Sequence, residues 1–196
     1  MPDSKFLKPL NGLRGIAAMI VVIAHYSNET ELWGRLIGAG GQNGVMLFFI
    51  LSGFLMGYLY FEQSFTLSNV GNYLLRRFAR VYPLFIFAAA LPSFLIWIGF
   101  PSGVAYAAIN SLTIFFHQVL LIDRGLGAFW TIRVEIFFYF VFVGIWVIHF
   151  HLRNILMTGL IVISALVFLR LKNYDFGIEF FDKIHYFLFG VLLISQ

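Results

Sequence analysis

The chain has 196 residues, 61% of them hydrophobic and 11% charged, with a formal net charge of +4 and a mean hydropathy of +0.89. Soluble domains carry about 45–50% apolar and about 25% charged residues, so a soluble globule of this size has no room to hide so much Leu, Ile, Val and Phe. The composition excludes an ordinary soluble domain and marks an integral membrane protein.

The thirteen Lys and Arg residues lie in short clusters between apolar runs, as membrane loops do, which argues against a nucleic-acid partner. The lack of cysteine excludes disulfides, thiol catalysis and Cys-based metal sites. No cleavable leader is read. The first apolar segment follows Lys5, Lys8 and Arg14 and has no small-x-small pattern after it, so it is expected to stay as a membrane helix.

In chain order the apolar runs are residues 10–26, 44–61, 82–100, 104–122, 128–148, 155–171 and 184–196. The expected fold is all-α, a polytopic membrane helical bundle of six to seven spans forming one domain over residues 1–196. Arg76, Arg77 and Arg80 follow the second run, two crossings after Lys5 and Lys8, and the positive-inside rule makes that side and the N-terminus cytoplasmic. Arg124, Arg170, Lys172 and Lys183 fall on the same side if every run crosses once, leaving Arg35 and Arg153 outside. The final stretch, YFLFGVLLISQ, stops inside an apolar run; a helix partway across leaves backbone groups without partners, so the domain is expected to be incomplete at its C-terminus.

The first run, LNGLRGIAAMIVVIAHY, carries Arg14 near its start and His25 near its end. Eleven residues apart, they return to within about 20° of one helical face and stand about 16 Å apart along it. Ionisable residues inside a membrane point to function. An arginine snorkelling to the interface and a histidine at the far end are the plainer alternative.

This segment resembles the opening helix of the membrane acyltransferase-3 family, in which an Arg or Lys is followed after ten residues by a His. Three further stretches resemble the same family. GVMLFFILSGFLMG, residues 44–57, is similar to its second helix; physically, Gly53 and Gly57 form a small-xxx-small pair suited to close helix contact. RRFARVYP, residues 76–83, is similar to its Arg-x-x-Arg. Arg77 and Arg80 share a helix face, and Arg is suited to gripping phosphates through its planar fork. FWTIRVEIFFYF, residues 129–140, is similar to the family's Trp-Ser-Leu-x-x-Glu-x-x-Phe-Tyr, with Glu135 at the acid and Trp130, Phe138 and Tyr139 in place. Thr131 stands for the usual Ser, and Arg133 occupies a place often held by a small residue. Two positions from Glu135, Arg133 cannot face it and must find another partner.

The resemblance covers essentially the whole chain and implies a membrane O-acyltransferase. The implied donor is acetyl-CoA or another acyl-CoA, the acceptor a hydroxyl of a carbohydrate or cell-surface glycan, and the location the bacterial plasma membrane, among lipid. Family members usually have about ten helices. Transfer to a hydroxyl needs a base and donors for the developing oxyanion. Without cysteine, His25 is the expected base and Glu135 its orienting carboxylate; Arg14, Arg77 and Arg80 are expected to hold the CoA phosphates. The distance from Arg14 to His25 is comparable to an extended pantetheine arm. No metal is expected: His149 and His151 lie together at the outer interface without a carboxylate, and His117 reads as a core or cavity residue. Asp123, Asp175 and Asp182 read as loop charges, and His185 as interfacial. The rival is a secondary transporter or flippase of an anionic or carbohydrate substrate, which intramembrane Arg, Glu and His would also suit.

Overall fold

The computed structural model describes residues 4–30, 40–99, 112–120, 129–152 and 178–195, together with 154, 158, 159, 162, 163 and 167. Its elements are α1 (Ser4–Thr30), α2 (Gly41–Tyr60), α3 (Leu67–Trp97), α4 (Leu112–Val119), α5 (Trp130–Leu152) and α6 (Ile178–Leu192), the last continuing into a 3₁₀ turn at Leu193–Ser195. No strand occurs among the described residues.

Among the described residues three segments are long and apolar enough to cross a membrane: Pro9–Asn28, Gly41–Tyr60 and Trp130–Leu152. They coincide with the first, second and fifth expected spans. The third expected span is the latter part of a longer helix. α3 runs 31 residues from Leu67 straight through Arg76, Arg77, Arg80 and Pro83. Charge interrupts the apolar run but not the helix, because Arg is a good helix former. Thr66 starts it: the Asn69 backbone N–H donates to Thr66 Oγ1 at 3.2 Å, satisfying one orphan donor of the first turn. Of the fourth expected span, 104–122, the structure describes 112–120, and α4 accounts for eight residues. The sixth, 155–171, falls almost wholly outside the described residues, as do Arg35, Asp123, Arg124, Arg153, Arg170, Lys172 and Asp175. The seventh corresponds to α6, whose apolar part is Lys183–Leu192.

The chain forms two compact units, one from residues 1–65 and 142–196, the other from 66–141. In the first unit the helices meet at glycines. A Cβ on Gly44 of α2 would lie 2.8 Å from the Ala17 carbonyl oxygen, and one on Gly41 would lie 2.9 Å from Ala24 Cβ. The pairing order shows that α1 and α2 are antiparallel. α2 and α6 approach more closely still. A Cβ on Gly53 would sit 2.1 Å from the Phe187 carbonyl oxygen, and one on Gly190 would sit 2.0 Å from that of Ile50. One turn on, Gly57 meets the Ile194 side chain, so α2 and α6 run in the same direction. The small-residue pair in the second apolar run is thus a backbone-to-backbone helix contact.

The end of α2 is tied to the end of α5. The Phe61 ring lies between Phe142 (centroids 5.6 Å, 17°) and His149 (4.2 Å, 27°), a column of three stacked rings. Phe65 packs edge-on to Trp146, whose indole N–H donates to the Gln63 carbonyl at 3.3 Å. The Gln63 side-chain amide donates to the Leu59 carbonyl at 2.7 Å, occupying an acceptor that the last turn of α2 leaves open.

These contacts correct the expected topology. If each apolar run crossed once, Phe61 and His149 would lie on opposite membrane faces, and the second and seventh runs would be antiparallel. Contact between Phe61 and His149 requires an even number of crossings between them, where the sequence reading counts three. Removing one crossing there also accounts for the parallel run of α2 and α6. The side assigned to Arg124, Arg170, Lys172 and Lys183 loses its support with it.

Because the chain has no cysteine, single reporters test this directly. Glu62 and His151 are both exposed, beside the two helix ends. Glu62→Cys and His151→Cys are expected to react with a membrane-impermeant maleimide from the same side of sealed vesicles. Labelling from opposite sides would restore strict alternation. In detergent, Gly53→Ala is expected to lower the melting temperature, by about 1–3 kcal/mol of overpacking. Gly144→Ala, where a Cβ meets nothing within 4 Å, leaves it unchanged or raised.

Candidate functional site

In the second unit, Tyr73 and Arg77 stand four residues apart on α3, so both lie on one face. Tyr73 is fully buried and Arg77 is 5% exposed. The guanidinium carbon of Arg77 lies 5.9 Å from the centre of the Tyr73 ring, within reach of its π-face. Among the described residues no carboxylate or other acceptor is hydrogen-bonded to Arg77. Arg76 and Arg80, on the same helix, are exposed.

Tyr73 connects this cation to α5. Its hydroxyl donates to the Tyr139 backbone carbonyl at 3.2 Å, and the two rings meet edge-on at 6.4 Å. Tyr139, itself fully buried, donates its hydroxyl to Glu135 Oε1 at 2.8 Å. Glu135 and Tyr139 are again four apart, on one face of α5. Phe78 packs edge-on against Tyr139 at 6.1 Å and Tyr82 at 6.0 Å. Tyr82 in turn donates to the Val119 carbonyl at the end of α4. Aromatic edges therefore hold this unit and fix the two tyrosines.

Arg133 finds its partner within its own helix: its guanidinium lies over the Phe137 ring at 5.9 Å. The cation thus has a partner other than Glu135.

In the first unit, α1 is unbroken from Ser4 to Thr30, so the spacing of about 16 Å between Arg14 and His25 stands. Ala17, Ala24 and Ser27 are buried on its α2-facing side. Arg14, half-buried, and His25, exposed, both lie about 70–90° round the helix from the line of Ala17 and Ala24, on the same side of it. The exposed Asn28 and Asn11 lie on the same side, about 30° and about 130° from that line. His149, read from sequence as lying at the outer interface, is stacked on Phe61 and lines a cleft of about 150 Å³ with Glu62, Gln63, Ser64 and Phe150. His117 is half-buried and His185 exposed. Among the described residues no three His, Asp or Glu side chains converge on a metal position.

Of the expected site residues, Arg77 and Glu135 thus belong to one unit and are linked through two tyrosines. Arg14 and His25 share a helix of the other unit. Arg80 is exposed on α3. Tyr73 is the residue the sequence reading missed, although its place four residues before Arg77 was a readable signal.

The acyltransferase-domain model of the acyltransferase-3 family matches residues 8–195. This chain belongs to that family. Among curated proteins it resembles "Protein 2 in picA locus" of Rhizobium radiobacter, 37% identical over 91 residues; the aligned part is 46% of this chain and 45% of that relative. No solved structure matches the chain.

The burial contrast can be read chemically. Phenylglyoxal is expected to modify Arg76 and Arg80 in the folded protein and to spare Arg77, as mapped by mass spectrometry of the digested product. Equal labelling of all three would contradict the buried position of Arg77.

Proposed function

We propose that the protein is a membrane-embedded O-acyltransferase that moves an acyl group, acetyl in the first instance, from acyl-CoA to a hydroxyl of a carbohydrate or cell-surface glycan. Family membership supports the reaction class. The observation that carries the donor is Arg77, a buried cation whose neighbour is a ring face, with no acidic partner among the described residues. Such a group is prepared for an anion, and a guanidinium fork suits phosphate.

In this reading Arg77, with Arg80 and Arg14, holds the phosphates of CoA. His25 takes the proton of the acceptor hydroxyl; the oxygen attacks the thioester carbonyl, and CoA leaves as the thiolate, which recovers a proton. Glu135 is the carboxylate of the reaction. The N-terminus and the arginines of α3 face the cytoplasm, where CoA is found, by the positive-inside rule. The membrane proposed is the bacterial plasma membrane.

Membranes holding the protein, given acetyl-CoA labelled in the acetyl group and a glycan acceptor, are expected to place label on the acceptor. His25→Ala abolishes that transfer and leaves CoA binding largely intact. Arg77→Ala raises KM for acetyl-CoA by about 10-fold or more. Movement of substrate across the membrane without covalent change would replace this reading with the transporter. Turnover retained in His25→Ala would remove the histidine from the mechanism.

A further inference from the structure

We infer that Tyr139 and Tyr73 are positioning residues of the transfer site: Tyr139 fixes the Glu135 carboxylate, and Tyr73 holds Arg77 while locking α3 to the same turn of α5. The inference rests on the function proposed above and assigns roles to two tyrosines that it leaves unused.

The geometry begins with the two charges. Among the described residues no ion pair joins Arg77 to Glu135. Had they paired, each would neutralise the other, and neither would be free for an incoming anion or an acceptor. The tyrosines give each charge a neutral partner instead. Arg77 rests on the Tyr73 ring at 5.9 Å, a contact that uses none of its N–H donors, and among the described residues none of them is hydrogen-bonded. Glu135 accepts a bond at Oε1, 2.8 Å from the Tyr139 hydroxyl, and among the described residues Oε2 takes part in no other.

The tyrosines can do this because they cannot move. Both are fully buried. Tyr139 is wedged edge-on between Tyr73 at 6.4 Å and Phe78 at 6.1 Å, so its hydroxyl has one place to point. The Tyr73 hydroxyl bonds the backbone carbonyl of Tyr139, using the second lone pair of an oxygen that sits inside helix α5. The Tyr73 ring therefore meets the cation on its face, while its hydroxyl fixes the turn of α5 that presents Glu135. A carboxylate on three rotatable bonds is held at one oxygen by a phenol that is itself held.

The test is steady-state acetyl transfer by the full chain, with five variants whose melting temperatures are checked against the parent. Tyr139→Phe removes one hydroxyl and keeps the ring; it is expected to lower kcat on the order of 10-fold with KM for acetyl-CoA within about 2-fold. Glu135→Gln shows at least the same fall in kcat, and Tyr139→Phe adds nothing to it in the double variant, because the phenol acts only through the carboxylate. Tyr73→Leu removes the ring under Arg77 and raises KM for acetyl-CoA about 10-fold, whereas Tyr73→Phe, which keeps the ring, leaves KM near the parent value. Unchanged kcat in Tyr139→Phe overturns the positioning role, as do additive losses in the double variant or equal KM effects in the two Tyr73 variants. A parent protein that transfers no acetyl group overturns the proposed function instead, and the inference falls with it.

Discussion

A guanidinium held away from water has to be met by something, and in the second unit that something is a ring. Among the described residues the neighbour of that cation, Arg77, is the face of Tyr73. In the proposed function a carboxylate partner would fill the position that an anion needs. The other contacts of the unit follow from this choice. Tyr73 must be immobile, so it is buried and bonded to the Tyr139 carbonyl. Tyr139 must be immobile in turn, and Phe78 supports it from α3.

The first unit solves a different problem with smaller residues. Without water to drive apolar surfaces together, membrane helices associate through close packing and hydrogen bonds. Gly53 and Gly190 let α2 and α6 touch backbone to backbone, and Gly44 does the same between α2 and α1. Arg14 and His25 flank the buried stripe of α1.

Much of this was legible in the residues themselves, and the gaps have identifiable causes. The spans at α1, α2 and α5 follow from uninterrupted apolar runs, and the role of Gly53 follows from its spacing to Gly57. The course of α3 was hidden because charge at Arg76, Arg77 and Arg80 looks like a loop when apolarity is the only signal, although Arg favours helix. The pairing of Phe61 with His149 was hidden for a deeper reason. Counting each apolar run as one crossing is a one-dimensional rule, and a single run that does not cross reverses every later side. Within one helix, the pairs Tyr73–Arg77, Arg133–Phe137 and Glu135–Tyr139 are all four residues apart and could have been read. The bond from Tyr73 to the Tyr139 carbonyl joins two helices and could not.

The proposed function makes Arg77 an anion-binding cation kept ready by a ring. The measurement that tests it most directly is the thermal stability of the purified protein in detergent with and without CoA. A ligand at about 100 times its Kd stabilises the folded state by about 2.7 kcal/mol. A rise in melting temperature is expected for the parent protein with CoA, a smaller one with the phosphate-poor fragment pantetheine, and a clearly reduced one with CoA for Arg77→Gln. An undiminished rise in Arg77→Gln, or no rise in the parent, would contradict it.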